Sequence, residues 1–151
     1  MKKERSKIPE ITVTYNPKIK DTPKILSSND SYVLFLDYFP KDSIQLQERL
    51  VVMYLNNAQK VIGIYVASIG GLTCTIADTR LILAVALKTA STRIIIAHNH
   101  PAGDLKPSQF DIILTNKIKE ACVIMDLKLL DHLIISPEDG KYYSFLDEGL
   151  I

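Results

Sequence analysis

The sequence predicts an α/β domain with a single mixed β-sheet packed with helices. Three observations lead there. Apolar runs of strand length recur at residues 49–55, 61–68, 94–96 and 127–136. Two segments of helical length and period, residues 80–90 and 108–125, are interposed among them. Strands with long helices between them bury both kinds of apolar face by packing in layers.

Size and composition agree with a globular domain. The chain has 151 residues, 47% hydrophobic and 23% charged, enough for one domain with a real core. Its formal net charge of +1 supplies no global field for nucleic acid or anionic lipid. Lys2, Lys3, Arg5 and Lys7 make a small basic patch interrupted by Glu4, read as part of a solvated tail. The two cysteines, Cys74 and Cys122, lie far apart with no Cys-x-x-Cys, and are read as small core residues. With no signal peptide in view, they point to a reduced, cytoplasmic compartment. No apolar stretch approaches the roughly 20 residues that a transmembrane helix needs.

The elements follow in order. Residues 1–9 are polar and read as loose. Ile11, Val13 and Tyr15 alternate with Thr12, Thr14 and Asn16, which predicts a half-buried strand. Pro17, Pro23 and several lysines make residues 17–27 an extended arm. Ser28, Asn29 and Asp30 offer an N-cap for a short helix over 32–38, stopped by Pro40. Residues 1–40 are therefore an N-terminal arm and short helix, and residues 41–151 are the main domain.

Within that domain, residues 41–47 connect to Glu48 and a strand at 49–55. Asn56 to Lys60 is turn chemistry, and 61–68 returns as the second strand of a hairpin. Gly70 and Gly71 break it, and 73–76 is a short strand. Asp78 or Thr79 caps a helix over 80–90, apolar around nearly its whole circumference and so expected to be largely buried. The helix opened by Ser108 should bury a face of Phe110, Ile113, Leu114, Ile118, Ala121 and Met125. After the strand at 127–136, Pro137-Glu138-Asp139-Gly140 is a turn, and 141–145 closes a terminal hairpin.

The chemistry concentrates after the run Ile94-Ile95-Ile96. It ends in His98 and His100, two of the chain's three histidines. Side chains two apart on a strand share a face, so both imidazoles point the same way. A loop punctuated by Pro101, Gly103 and Pro107 leads to Ser108, with Asp111 in the first turn of the next helix. Two nitrogen donors and a carboxylate suit Zn²⁺ and leave a fourth position open for water. Hydrolysis also needs a base that is not a ligand. Glu48, just before an apolar strand, is the candidate. Ser108 has two readings: a helix cap paired with Asp111, or a hydroxyl that stabilises an oxyanion. His132 lies inside an apolar strand and reads as a hydrogen-bonded buried histidine, with support of the metal site as the second reading. Asp131 beside it faces the opposite side. Asn99 and Asp104 read as solvated loop groups, with support of the metal site as the second reading.

His98-x-His100, seven residues, then Ser108-x-x-Asp111, with Glu48 upstream, resembles the JAMM (MPN+) metalloprotease signature. Three surrounding segments are similar to the RadC-like JAB-domain proteins of bacteria. They run from Ala97 to Ser108, from Leu130 to Ile135 and from Tyr143 to Gly149. The resemblance spans about residues 40–151. It implies a cytidine-deaminase-like α/β fold, Zn²⁺ held by His98, His100 and Asp111, Glu48 as acid/base and Ser108 as oxyanion donor. The family's loop usually carries Ser where this chain has Ala102, which is not a ligand position. Longer members carry an N-terminal helix-hairpin-helix module for DNA, for which residues 1–40 are too short.

The expected function is a zinc-dependent hydrolase, a JAMM-type metallopeptidase or isopeptidase acting on a peptide or isopeptide substrate, with no membrane partner. Two other classes are open: a DNA-associated repair or accessory module, which the near-neutral charge supports weakly, and a metal-stabilised interaction domain without turnover. Residues 1–40 are available for a partner or homodimer contact.

Overall fold

The computed structural model describes residues 9, 11–12, 14–16, 21–70 and 77–151. Its elements are α1 (Ser28–Phe35) continuing into a 3-10 turn (Leu36–Tyr38), β1 (Arg49–Leu55), β2 (Val61–Ile69), α2 (Thr79–Lys88), β3 (Arg93–Asn99), α3 (Gln109–Ile124), β4 (Lys128–Ile135) and β5 (Tyr142–Ser144). The strands form one five-stranded sheet in the order β2-β1-β3-β4-β5. It is mixed, as expected: β1 pairs antiparallel with both β2 and β3, β4 pairs antiparallel with β5, and β3 and β4 run parallel. Parallel neighbours need a crossover, and α3 supplies it. The sheet is thereby forced to carry α3 across one face, with the helix N-terminus beside the C-terminal end of β3.

The strand period sorts the core into two layers. Val51, Met53, Leu55, Ile95, Ala97, Leu133 and Ile135 pack under α1 with Tyr32, Phe35 and Phe39. Leu50, Val52, Tyr54, Ile94 and Ile96 pack under α2 and α3 with Ile82, Ala86, Leu114, Ile118 and Cys122. β3 is central and covered on both faces, so its sequence is continuously apolar where a one-sided strand would alternate. His98 pairs in register with Leu50 and Ile134, which puts it on the α2/α3 face at the end of this strand.

The arm expected over residues 1–40 contributes Ile25, Tyr32, Phe35 and Phe39 to the core. Residues 23–25 zip onto the β1–β2 turn: Val61 N–H donates to Pro23 O at 2.9 Å and Ile25 N–H to Gln59 O at 3.0 Å. α1 starts earlier than predicted, because Ser27 is its N-cap and forms a capping box with Asp30. Burying a ring such as Phe35 stabilises by about 1.5–3 kcal/mol, and that holds this short helix on the sheet.

Other expectations are corrected. Ile11, Thr12, Thr14 and Tyr15 lie in no strand, and Ile11 is 89% exposed. Alternation over six residues is too short a signal to fix a strand by itself. The short strand at 73–76, with Cys74, lies outside the described residues. α2 buries only one side, Thr79, Ile82 and Ala86, and leaves Leu81 and Leu87 exposed. α3 buries Asp111, Leu114, Thr115, Ile118 and Cys122, while Phe110, Ile113 and Met125 are exposed. The face turned to the sheet carries two polar residues of the site, so counting apolar positions alone rotated it away.

Candidate metal centre

The site forms where β3 ends and α3 begins. His98, Asn99 and Asp111 are buried there, while His100 is partly exposed. The shared strand face brings His98 Nε2 and His100 Nε2 to 2.9 Å from each other. Asp111, at the third position of α3, places Oδ1 3.1 Å from His98 Nε2 and Oδ2 3.3 Å from His100 Nε2. The possible ligand atoms of the three residues all lie within 4.8 Å of one another, a cluster that could hold a metal ion.

Local chemistry fixes each side chain. Ser108 caps α3: its Oγ accepts Asp111 N–H at 3.1 Å and donates to Asp111 Oδ2 at 2.6 Å, and its own N–H donates to Oδ2 at 2.7 Å. The capping reading of Ser108 is therefore realised, with the hydroxyl on a carboxylate of the cluster. His100 Nδ1 lies 2.6 Å from Asp104 O. A carbonyl only accepts, so Nδ1 carries the proton, and a neutral ring keeps its Nε2 lone pair for the cluster. Gly103, at φ +84°, makes the turn that brings this carbonyl back, a backbone region disfavoured for other residues. The Asp104 side chain is occupied in the loop, accepting Lys106 N–H.

Imidazole nitrogens and carboxylate oxygens gathered at these distances could hold a cation between them, and nitrogen–oxygen sets of this kind suit divalent ions. The electrostatics agree. Burial alone would raise the Asp111 carboxyl, but the His100 and His98 imidazoles and the Ser108 hydroxyl around it outweigh burial and hold the group below the usual carboxylate range. The Asp111 hydrogen bond raises His100 above its ordinary 6.5, against the effect of burial. Burial likewise raises Glu48, opposed by His98 and His100 and reinforced by Asp111. Glu48 is thus half-buried and within electrostatic reach of all three. It enters β1 beside a bulge between Leu50 and Val51, and its carbonyl accepts Gly70 N–H at 2.8 Å.

Asn99 and Thr115 do more here than the sequence suggests, and His132 is the buried, hydrogen-bonded histidine expected. Asn99 is not a solvated loop group: it is fully buried and faces the other side of β3, where it donates to Ile44 O and Gln47 O and accepts Arg49 N–H. Its place between two histidines on a strand was the available signal, since alternation points it under residues 41–49. His132 is completely buried, 2.7 Å from His98 Nδ1, and its ring stacks on Phe145. Desolvation pushes its pKa well below 6.5. Thr115, which sequence reasoning missed, lies 2.6 Å from the other nitrogen of His132. It follows Asp111 by four residues, hence on one helix face. Asp131, beside His132, turns instead to Ser144 Oγ and Leu146 N–H.

Comparison with known families adds the decisive observation. The profile of the RadC-like JAB domain matches residues 25–150. The chain belongs to the RadC-like JAB domain family. The match to this JAB domain begins at Ile25, which is also the first core residue among the described residues. Over 127 residues the domain is 45% identical to a UPF0758 protein of Flavobacterium johnsoniae, covering 84% of this chain and 53% of the relative. It is 39% identical over 132 residues to one from Porphyromonas gingivalis, covering 87% and 58% respectively. A UPF0758 protein of Methanosarcina mazei is 38% identical over 128 residues, covering 85% of this JAB chain and 54% of the relative. The chain therefore spans about half the length of these curated relatives.

Proposed function

We propose that this JAB domain is a zinc-dependent hydrolase that cleaves an amide or isopeptide bond in a peptide substrate. The observation that carries it is the convergence of His98, His100 and Asp111 on one point, with Glu48 in electrostatic reach. An ion held by the three residues supplies Lewis acidity toward water and a carbonyl oxygen. Glu48 takes the proton of the attacking water and returns it to the leaving amine; a carboxyl raised by burial is suited to both transfers. Ser108, whose hydroxyl proton rests on Asp111 Oδ2 in this structure, would turn that proton to the developing oxyanion. His98, His100 and Asp111 serve as ligands and transfer no proton.

A cytoplasmic setting is part of this proposal, supported by the buried free thiol of Cys122. Among the described residues, no helix is long and apolar enough to cross a membrane. The net charge of +1 gives no ground for preferring a DNA-repair role.

Metal analysis of the purified chain, with a screen of peptide- and isopeptide-linked fluorogenic substrates, tests the reading. The expected result is about one zinc per chain, as for a three-ligand catalytic site, and turnover lost in His98→Ala. Stoichiometric zinc retained by a His98→Ala, His100→Ala double variant would overturn the site, and turnover unchanged in that variant would overturn the mechanism.

A further inference from the structure

A three-membered hydrogen-bond relay enters the site from behind. Thr115 Oγ1 lies 2.6 Å from Asp111 O and 2.6 Å from His132 Nδ1, and His132 Nε2 lies 2.7 Å from His98 Nδ1. Its direction can be read link by link. Asp111 O is a carbonyl and can only accept, so the single hydroxyl proton of Thr115 lies on that bond. The Thr115 oxygen then faces His132 with lone pairs, and His132 Nδ1 must carry the proton between them. His132 is completely buried, its ring against Phe145 and its two nitrogens against a hydroxyl and another imidazole. Such surroundings favour the uncharged ring, which has one donor and one acceptor. Its Nε2 is therefore the acceptor, and His98 must donate from Nδ1. The His98 Nε2 lone pair is left facing His100 and Asp111.

We propose that Thr115 and His132 are positioning residues that lock His98 in the Nδ1–H tautomer, with Nε2 presented as a metal ligand. This rests on the reading that His98, His100 and Asp111 hold an ion. The relay ties three elements together: it starts on the backbone of one ligand in α3, passes through β4 and ends on the ring of another ligand in β3. Without it, the opposite tautomer would set an Nε2–H where the ion binds. Outer partners of this kind typically change metal affinity by about 10–100-fold.

The test uses the full chain, ¹⁵N-labelled and stripped of metal with a chelator, and long-range ¹H–¹⁵N correlation spectra of its three imidazoles. The expected result is the Nδ1–H form at both His98 and His132. Thr115→Val keeps the shape but removes the hydroxyl; His98 should then show mixed tautomers, and zinc affinity in competition with a chromophoric chelator should fall about 10–100-fold. Thr115→Ser should restore both, which general loosening of the fold would not. An Nε2–H tautomer at His98 in the wild-type chain overturns the proposal, as does Thr115→Val with unchanged spectra and affinity. If Thr115→Val does not fold, the wild-type spectrum alone decides. Should the wild-type chain bind no zinc, the site reading fails by itself, and the metal-free spectrum still decides the relay.

Discussion

The side-chain carbonyl of Asn99 accepts the backbone N–H of Arg49 at 2.7 Å, across 50 residues of chain. The same side chain donates its amide to Ile44 O at 2.7 Å and Gln47 O at 2.9 Å. Glu48 sits between two of these anchors, so the strand that carries the histidines also holds the backbone of the proposed base.

Asn99→Ala should therefore affect two quantities at once. Removing the side chain leaves buried backbone groups unpaired, each costing about 1–3 kcal/mol, so the unfolding midpoint in urea should drop. Zinc content should stay normal, because Asn99 faces away from the ligands, while turnover falls as Glu48 loses its anchors. An Asn99→Ala chain that keeps both its midpoint and its rate would show that the clamp has no such role.

Glu48→Gln separates proton transfer from metal binding. Glutamine preserves shape but cannot carry the proton, so the rate should fall by roughly 10²–10⁴. Zinc content and melting temperature should remain those of the wild type. Metal analysis and turnover on one sample provide the check. Wild-type turnover in a zinc-loaded Glu48→Gln chain would remove Glu48 from the mechanism.

Ser108→Ala asks how far the cap accounts for this residue. The capping box predicts a stability loss of about 1 kcal/mol. An oxyanion donor predicts a rate loss equivalent to about 3 kcal/mol at the transition state. Denaturant titration and turnover of the same variant read the two separately. A variant that loses stability but keeps its rate leaves Ser108 as a cap alone.

The metal-free chain should show a stability profile that bends near pH 6.5. His100 has a raised pKa, so its contribution is fully present below 6.5 and is lost as pH rises through the folded value. His132 has a depressed pKa, so below 6.5 the unfolded chain takes up a proton that the native ring refuses, and stability falls as pH drops. His100→Gln should flatten the alkaline limb. Saturating zinc should reverse that limb, because ligands bind the ion only when deprotonated. Urea midpoints across pH, with and without zinc, measure both slopes; an alkaline limb that persists in His100→Gln would contradict the assignment.

Much of this protein is legible locally. The strand Arg49–Leu55 and its return after Asn56 to Lys60 follow from apolar runs and turn residues, which act over a few positions. The same holds for His98 and His100 on one strand face, and for Asp111 held by its Ser108 cap in the first turn of α3. Each depends only on backbone periodicity or on a hydrogen bond spanning three residues.

Tertiary structure decided the rest. Hydropathy reads Asn99 and Thr115 as surface residues, and partners brought in from elsewhere complete their hydrogen bonds. Those partners are remote in sequence: His132 is 17 residues from Thr115, and Gln47 is 52 from Asn99. Which face of α3 meets the sheet, and whether α1 joins the core through Tyr32 and Phe35, were settled in the same way. The parallel pairing of β3 with β4 fixes where α3 must cross, and this crossing sets His132 behind His98 and Thr115 behind His132. A polar group is stable in a core only when its hydrogen bonds are complete, and completing them is a property of the assembled layers that no local window of residues contains.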